Sequence, residues 1–398
     1  MKSIKYIVLL MSCLCFAQLT SAQKVLSEEE AIALGIKNSH LLQAASHTAQ
    51  EQKRLQGTGF NLSNPDITIE SPTADFMTVG VLQSFEFPSV YVRRSKVLKE
   101  KSSLAQTALL LSRAEVIQKI KSMYLQLQFD LAMHDLYATQ DSLYAAMAQS
   151  AKRKFEAGQI DFIEKSFAST KYGESHMKFL QATIDVEFSM QQLQVYTGLQ
   201  DSLLVSPLKQ RKEDLNSISI IDSNIINTSA FSMYYKKSEM ISRRELQVEK
   251  SKALPGFSFG YLNQGPKDSD FPLRLRGGIN IPIWFWQYRA SIHAAKENLK
   301  ASEQMTLAQS QNLSSKVGQE KTELIKNSEA IIYFDQSGLK EADEIISASI
   351  RMFEAGSSDY VDHLRILSDA YNIRINYIEA VKNYNQSQVN LNYLIGQP

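Results

Sequence analysis

The distribution of proline constrains the fold of this chain more than any other sequence feature. Its nine prolines leave two long stretches, residues 89–206 and 283–397, without any proline. Because proline breaks helix interiors, these two stretches are the predicted helical regions. Nothing clearly stops a helix between about Val90 and Ala157, and such a helix would be roughly 100 Å long. Apolar residues within it step by three and four, as in the narrow seam of a coiled coil: Ile117, Ile120, Tyr124, Leu127 and Leu131.

The chain also repeats itself at half its length. The phrase RKFEAGQIDF, which starts at Arg153, returns as RMFEAGSSDY, which starts at Arg351, an offset of 351 − 153 = 198 residues. Two further pairs keep this offset: Gly80 with Gly278, and LQVYTG (193–198) with LNYLIG (391–396). Three anchors at one offset indicate an internal duplication.

The repeated phrase predicts the tip of a helical hairpin. Gly158 ends one helix as a C-terminal cap, and Asp161 begins the next as an N-cap with a glutamate three residues later. In the second copy Gly356 ends the helix, Asp359 begins the next one, and Asp362 takes the place of the glutamate. The phrase therefore occurs twice because the chain contains two hairpins.

Each repeat also contains a predicted strand pair, at 60–71 and 76–87 in the first repeat and at 255–263 and 272–284 in the second. In the second pair apolar residues such as Leu275 alternate with arginine, glycine and asparagine. Period-two alternation is typical of a β-barrel wall that turns an apolar face to lipid and a polar face to a lumen.

Two details accompany the strand prediction. The first pair alternates less regularly, because Phe60 and Leu62 have the parity opposite to that of the isoleucines that follow. At the end of the last predicted strand, Trp284 and Trp286 are the two tryptophans of the chain, and they indicate an aromatic girdle at a membrane interface. Ordinary packing at a strand-to-helix junction is the alternative.

The first 22 residues are typical of a secretory signal peptide, with a basic start, a short apolar stretch and predicted cleavage after Ala22. Lipidation at Cys13 is the alternative. Both cysteines lie in this segment, so cleavage leaves a mature chain without disulfides or thiol chemistry. The predicted domains are the signal at 1–22, a first repeat at 23–199, a linker at 200–228 and a second repeat at 229–398.

The composition gives no sign of an enzyme or of a nucleic-acid partner. Removal of the signal leaves 41 of the 43 basic residues against 42 acidic ones, a balance that does not favour nucleic acid. None of the six histidines has a second ligand at a convincing metal spacing, and no nucleophile or nucleotide-binding motif occurs. We therefore predict no catalytic site, no cofactor and no metal site.

The signal, the duplicated layout and the tip phrase with Phe-Glu-Ala-Gly followed by Asp together resemble the TolC-like outer-membrane efflux proteins. The resemblance covers essentially all of residues 23–398. It implies an α+β membrane protein in which three chains of four strands each form a 12-stranded outer-membrane β-barrel. Long helical hairpins continue the tube across the periplasm as a coiled-coil cylinder. Four strands are also too few to close a barrel, so the chain is expected to oligomerise.

The resemblance also implies partners and site residues. The tips would dock onto a periplasmic adaptor (membrane fusion protein), which couples the channel to an inner-membrane efflux pump of the RND type or another type. The tip residues are Arg153, Phe155, Gly158 and Asp161 in the first copy and Arg351, Phe353, Gly356 and Asp359 in the second. The periplasmic constriction would be formed by Asp359 and Asp362, for which an ordinary cap and a solvated charge are the alternatives.

Two interpretations remain open from the sequence. The phrase FEFPSVYVRR, with Glu86 and Pro88, is similar to the heavy-metal efflux branch, although Ser89, Val90 and Tyr91 depart from its pattern. The alternative to a channel is an exported coiled-coil structural protein or a periplasmic adaptor. Adaptors are not expected to contain two strand pairs with one lipid-compatible face.

Overall fold

The computed structural model describes residues 25–73, 76–200, 204–211, 229–263, 274–354 and 360–397. The predicted signal with Cys13, most of the predicted linker, and Gly356 and Asp359 of the second tip lie outside the described residues.

The described chain runs through two similar series of helices and strands. The first series consists of β1 (Val25–Leu26), α1 (Glu28–Asn38), α2 (His40–Leu55), β2 (Asp66–Thr73), β3 (Phe76–Phe85), α3 (Pro88–Glu156) and α4 (Phe162–Thr197). The second consists of β4 (Leu204–Val205), α5 (Ala230–Lys252), β5 (Gly256–Leu262), β6 (Leu275–Asn280), α6 (Phe285–Tyr333), α7 (Leu339–Glu354) and α8 (Tyr360–Ile395). A π-helical turn, Phe334–Gly338, joins α6 to α7.

Helix α3 confirms the predicted long helix. It contains 69 residues, which corresponds to a length of about 100 Å. Pro88 stands in its first turn, where the missing N–H has no helical partner to lose. The centre of the predicted seam is fully buried, because Ile120, Tyr124 and Leu127 pack against α1 and α4.

Strands β2, β3, β5 and β6 form one antiparallel sheet in that order. The register pairs Val81 with Tyr261 and Tyr261 with Leu275, so the two strand pairs of the two repeats join through β3 and β5. The outer strands of this sheet are β2, from the first repeat, and β6, from the second.

The structure corrects three predicted strand boundaries. The first predicted strand begins at Asp66, because residues up to Phe60 form a short 3-10 helix, which also explains the irregular parity of Phe60. Strand β3 ends at Phe85 and not at residue 87. The last strand ends at Asn280, before Pro282, since proline cannot donate a ladder hydrogen bond.

The helices lie side by side in two consecutive rows. In the row nearer the sheet, the helices lie in the order α2, α3, α5 and α6. In the row further from the sheet, the order is α4, α3, α8 and finally α6, which continues as α7. Buried apolar residues form separate clusters along these rows. In both rows, as in the sheet, a first-repeat element (α2, α4 or β2) lies at one edge and a second-repeat element (α6, α7 or β6) at the other.

The segment that joins the two repeats, at 204–211, is held by contacts with both of them. Strand β1 pairs in parallel with β4. The Tyr124 hydroxyl donates to the Leu26 carbonyl at 2.8 Å and accepts from the Ser206 backbone N–H at 3.2 Å. From the second repeat, the Asn385 side chain donates to the Lys209 carbonyl at 2.8 Å and accepts from the Arg211 backbone N–H at 2.9 Å.

Candidate channel wall and helical tips

The four-stranded sheet has one apolar face, and this face is exposed. Ile67, Ile69, Phe259, Leu275 and Ile279 are each 57–68% exposed, although large apolar residues of a folded domain are usually buried. All five residues are odd-numbered, and the register pairs odd-numbered residues with one another across all four strands. They therefore share one face of the sheet. An uncovered apolar patch of this kind marks contact with another protein or with a membrane.

The opposite face of the sheet is mostly polar or small, with two leucines, Leu82 and Leu262, among its paired residues. Its other residues include Thr68, Ser258, Gly260, Arg276, Gly278 and Asn280. At Gly260 a Cβ atom would overlap the Val81 carbonyl oxygen, so this position requires glycine. Gly80 and Gly278, the pair at the 198-residue offset, are both crowded by a side chain of the neighbouring strand, at 2.6 Å and 2.5 Å from an added Cβ.

Aromatic side chains cluster where the sheet meets α6. The rings of Trp284 and Trp286 lie 5.0 Å apart, and the rings of Phe285 and Trp286 lie 5.8 Å apart. All three side chains are exposed. The aromatic girdle predicted for Trp284 and Trp286 stays a prediction, with ordinary junction packing as its alternative.

The first hairpin tip has the caps that the sequence predicts. Gly158 has a φ of 70°, a left-handed conformation that favours glycine. Its N–H donates to Phe155 O at 3.0 Å and the Gln159 N–H donates to Lys154 O at 2.9 Å, the paired bonds of a Schellman motif. Asp161 then begins α4 with the predicted reciprocal capping box.

The first tip also presents exposed apolar side chains beside cations. The rings of Phe155 and Phe162 meet edge to face, 6.3 Å apart, and the Lys165 ammonium lies about 6 Å from both. Ile163 next to them is 70% exposed, and Arg153 is exposed on the last turn of α3. An apolar patch with a cationic border can dock a partner.

The second tip is described only on its flanks. Arg351 is exposed and Phe353 is half-buried near the end of α7. Asp362 lies in the first turn of α8, with its carboxylate 3.3 Å from Arg365. Gly356 and Asp359 lie outside the described residues, so the cap and the constriction predicted for them stay predictions.

Glu86, the residue behind the heavy-metal resemblance, forms an ion pair with Arg94 at 2.6 Å. Across the described part of the chain, no group of three or more histidine, cysteine, aspartate or glutamate residues is arranged to hold a metal ion.

Polar residues inside the helical rows escaped the sequence analysis. Asp130 on α3 is 7% exposed and accepts from the Gln126 side chain at 2.8 Å. Burial raises the pKa of its carboxyl, and hydrogen bonds from Ser189 and Gln126 oppose the increase. Asp130 stands three residues after the seam residue Leu127 and directly before Leu131, and this position was the available signal.

The sequence analysis also missed the exposed edges of the helical rows. Helix α4 carries an apolar stripe with spacings of three, four, four and seven: Met177, Leu180, Ile184, Phe188 and Val195, all exposed. The opposite edge carries Leu307, Ile325 and Ile332 on α6, also exposed. These stripes are uncovered in a single chain. None of the described helices is long and apolar enough to cross a membrane.

Comparison with solved structures defines the fold. This chain shares its fold with outer-membrane channels. CusC shares it with a TM-score of 0.77 at 12% identity, covering 93% of this chain and 92% of that one. CmeC of Campylobacter jejuni gives 0.76 at 14%, covering 93% and 85%. VceC of Vibrio cholerae gives 0.72 at 12%, covering 93% and 96%.

A family model matches the second repeat of the chain. Residues 275–397 match the outer membrane efflux protein family, and the full-length fold agrees with this match. The predicted resemblance to TolC-like outer-membrane efflux proteins is therefore confirmed, and the predicted location is that of the family and of the solved channels. No curated protein matches the chain by sequence.

Proposed function

We propose that this protein is the outer-membrane channel of a tripartite efflux system and serves as a passive export duct. The observation that carries the proposal is the four-stranded sheet, which exposes an apolar face, has a polar opposite face and ends in two open edges. Backbone groups at an open edge are too costly in lipid to remain unpaired. The sheet is therefore incomplete as a single copy.

The two edges support a ring of three copies. Each edge belongs to a different repeat, so a contact between copies joins unlike surfaces and closes by rotation. Pairing β6 of one copy with β2 of the next gives a 12-stranded barrel from three chains. The apolar stripe of α4, which includes Ile184 and Phe188, then packs on Ile325 and Ile332 of the neighbouring copy, in the half of α6 that lies further from the sheet. This arrangement covers both open edges of the described sheet and the exposed apolar stripe of α4.

The helical rows form the periplasmic part of the duct in this proposal. Helix α3 alone is long enough, at about 100 Å, to carry a tube far from the membrane. The tips then dock onto a periplasmic adaptor, which couples the duct to an inner-membrane pump of the RND type or another type. The exposed Phe155, Phe162 and Ile163 with their cationic border support docking at the first tip. Residues from Arg351 to Asp359 form the matching second tip.

We further propose that Asp359 and Asp362 narrow the periplasmic end of the duct. They stand three residues apart at the second tip, so threefold assembly arranges them as acidic rings. Replacing both with asparagine is expected to change conductance and cation selectivity in planar bilayers. Unchanged values of both quantities would assign these residues to capping and solvation.

The channel proposal is tested on the apolar face. Ile279→Asp places a charge where lipid is expected, which costs up to a few kcal/mol for an ionised group facing lipid. Arg276→Asp changes the polar face of the same strand and serves as the matched control. We expect Ile279→Asp to disappear from outer-membrane fractions and to lose ion conductance, whereas the control keeps both. Equal behaviour of the two variants would overturn the channel proposal in favour of a coiled-coil structural or adaptor protein.

The sequence suggests heavy-metal cations as the exported cargo. A second experiment tests this choice of cargo. A deletion strain is compared with its complemented parent for growth on copper, zinc, cobalt, detergents and dyes. Sensitivity confined to metals supports the heavy-metal branch. Sensitivity to detergents or dyes alone would reject it while leaving the channel proposal intact.

A further inference from the structure

A strip of cations follows directly after the exposed aromatic cluster on α6. Arg289, His293, Lys296 and Lys300 are separated by four, three and four residues, which places them on one face of the helix. All four are exposed. Phe285 lies four residues before Arg289, so the same face passes from an aromatic surface to a cationic one within about one turn.

Few acidic side chains neutralise the positive charge of this strip. Within the described part of the chain, Arg289, His293 and Lys296 form no ion pair, and Lys300 pairs with Glu297 at 2.8 Å. The pKa of the Glu297 carboxyl is lowered first by the hydrogen bond and charge of Lys300, and then by Lys296 and His293. The lowered pKa of Glu297 agrees with the cations that surround it.

The arginines near the matching junction of the first repeat are used differently, although the residue 198 positions before Arg289 is Tyr91. Where α3 begins after the sheet, Arg94 pairs with Glu86 at 2.6 Å, and Arg93 donates to the Gln247 carbonyl at 2.7 Å. Both are half-buried. Packing therefore explains the arginines at the first junction, whereas packing does not explain Arg289 at the second.

A shallow cavity connects the two parts of this surface. It has a volume of about 230 Å³ and is lined by Ala253, Pro282, Phe285, Tyr288, Arg289 and Ile292. Five of these six residues are apolar or aromatic, and Arg289 is the charged one. A second cavity at the same junction shares Pro282 and Tyr288 with the first and is also lined by Ser84 and Asn280. Phe285 and Arg289 line only the first cavity.

We propose that this surface binds anionic phospholipids of the membrane leaflet that borders the helices. The headgroup phosphate pairs with Arg289 and Lys296, and the acyl chain lies on Phe285 and Trp286. Arginine suits a phosphate because its guanidinium can donate two parallel hydrogen bonds. Cations just outside an apolar segment are attracted to anionic lipid within about one Debye length. The proposal rests on the proposed function, since it requires the sheet to lie in a membrane.

The two tryptophans of the chain provide the measurement, because both lie beside the strip. The full-length protein is reconstituted into phosphatidylethanolamine vesicles that contain either brominated phosphatidylglycerol or brominated phosphatidylethanolamine. Bromine quenches tryptophan fluorescence only at close range, so quenching reports which lipid occupies the surface. We expect wild-type protein to prefer phosphatidylglycerol by about tenfold, with the preference reduced by added salt.

The test variant is Arg289→Gln with Lys296→Gln. The matched control is Lys316→Gln with Lys326→Gln, which removes two exposed cations from the same helix at least 20 residues further along. The test variant is expected to lose the preference about tenfold, and the control to keep it. Equal quenching by the two lipids in wild-type protein, or an unchanged preference in the test variant, would overturn the lipid proposal. Absence of quenching by either lipid would instead overturn the membrane placement of the sheet.

Discussion

The two repeats share their plan most closely where helices and strands end. Helix α4 ends before Gly198 and α8 ends before Gly396, and these glycines have φ values of 73° and 82°. Gly80 and Gly278 likewise occupy equivalent strands, β3 and β6, in the two pairs. Positions that need a left-handed backbone or a close approach of strands tolerate few residues. The duplication is therefore clearest at these positions.

The repeats differ along the middle of their long helices. Helix α3 is unbroken, whereas the corresponding helix of the second repeat contains the π-helical turn Phe334–Gly338. Asp130 is buried on α3, and the residue 198 positions later, Ser328, is also buried but uncharged. Mid-helix positions are constrained by local packing alone, so the two copies diverge there. The two repeats are therefore similar at the ends of their helices and strands but differ along the middle of their long helices.

The largest effect is expected at the tips. Gly158→Pro cannot keep a φ of 70° and removes the N–H that donates to Phe155 O. Because this tip is the proposed docking point, we expect export to be abolished while membrane insertion survives. Gly356→Pro tests whether the second tip follows the same rule. Export is measured in a complemented deletion strain, and normal export in both variants would contradict docking through the tips.

The next largest effect is expected for the hydrogen bonds that attach the segment 204–211 to each repeat. Tyr124→Phe leaves the Leu26 carbonyl and the Ser206 N–H without their partner, which costs about 1–3 kcal/mol. Asn385→Ala removes two hydrogen bonds from the second repeat and is expected to cost a similar amount.

Thermal unfolding of the detergent-solubilised protein measures both changes, with the exposed Tyr261→Phe as control. If the segment acts as one unit, the double variant costs less than the sum of the two single changes. Full additivity would show that the two repeats hold the segment independently.

A smaller effect concerns Asp130. Its folded-state pKa is raised by burial, so protonation favours the folded protein, and this stabilisation is lost as the pH rises through the folded pKa. At neutral pH the buried charge therefore lowers stability. Asp130→Ser copies the second repeat, and Asp130→Asn preserves the shape of the side chain.

We expect Asp130→Asn to raise the free energy of unfolding at pH 7 by about 1 kcal/mol. The gain should shrink as the pH falls towards the ordinary aspartate value. Unfolding temperatures between pH 4 and pH 8, measured with the exposed Asp135→Asn as control, check this sign. A gain that grows at low pH would contradict the burial argument.

The smallest effect compares two glycines of the second repeat. An added Cβ at Gly318 has open space, so Gly318→Ala is expected to stabilise α6 by up to about 1 kcal/mol. At Gly338, in the π-helical turn, an added Cβ would lie 3.0 Å from Phe334 Cδ1 and 3.3 Å from Tyr333 Cε1. We expect Gly338→Ala to gain nothing or to destabilise. Equal gains in unfolding temperature would show that the turn is not crowded.

Much of the fold was predictable because the signals are local. The proline-free stretch before residue 206 predicts α3, and the pattern around Gly158 and Asp161 predicts the helix caps of the first tip. Strand ends were less predictable, since Phe60 fits a strand pattern but lies in a 3-10 helix. The π-helical turn left no trace, because its residues carry no proline and no cap.

The sequence by itself determined the duplication, the long helices, the first hairpin tip and the alternating strands. Each of these depends on residues close together in the chain, where helix capping, proline and side-chain parity act. Only the tertiary structure decided that one sheet joins both repeats through β3 and β5, and that Asp130 is buried. It alone also decided that each edge of the molecule belongs to a different repeat. These features arise from contacts between residues far apart in the chain, whose free energies depend on the complete packing arrangement.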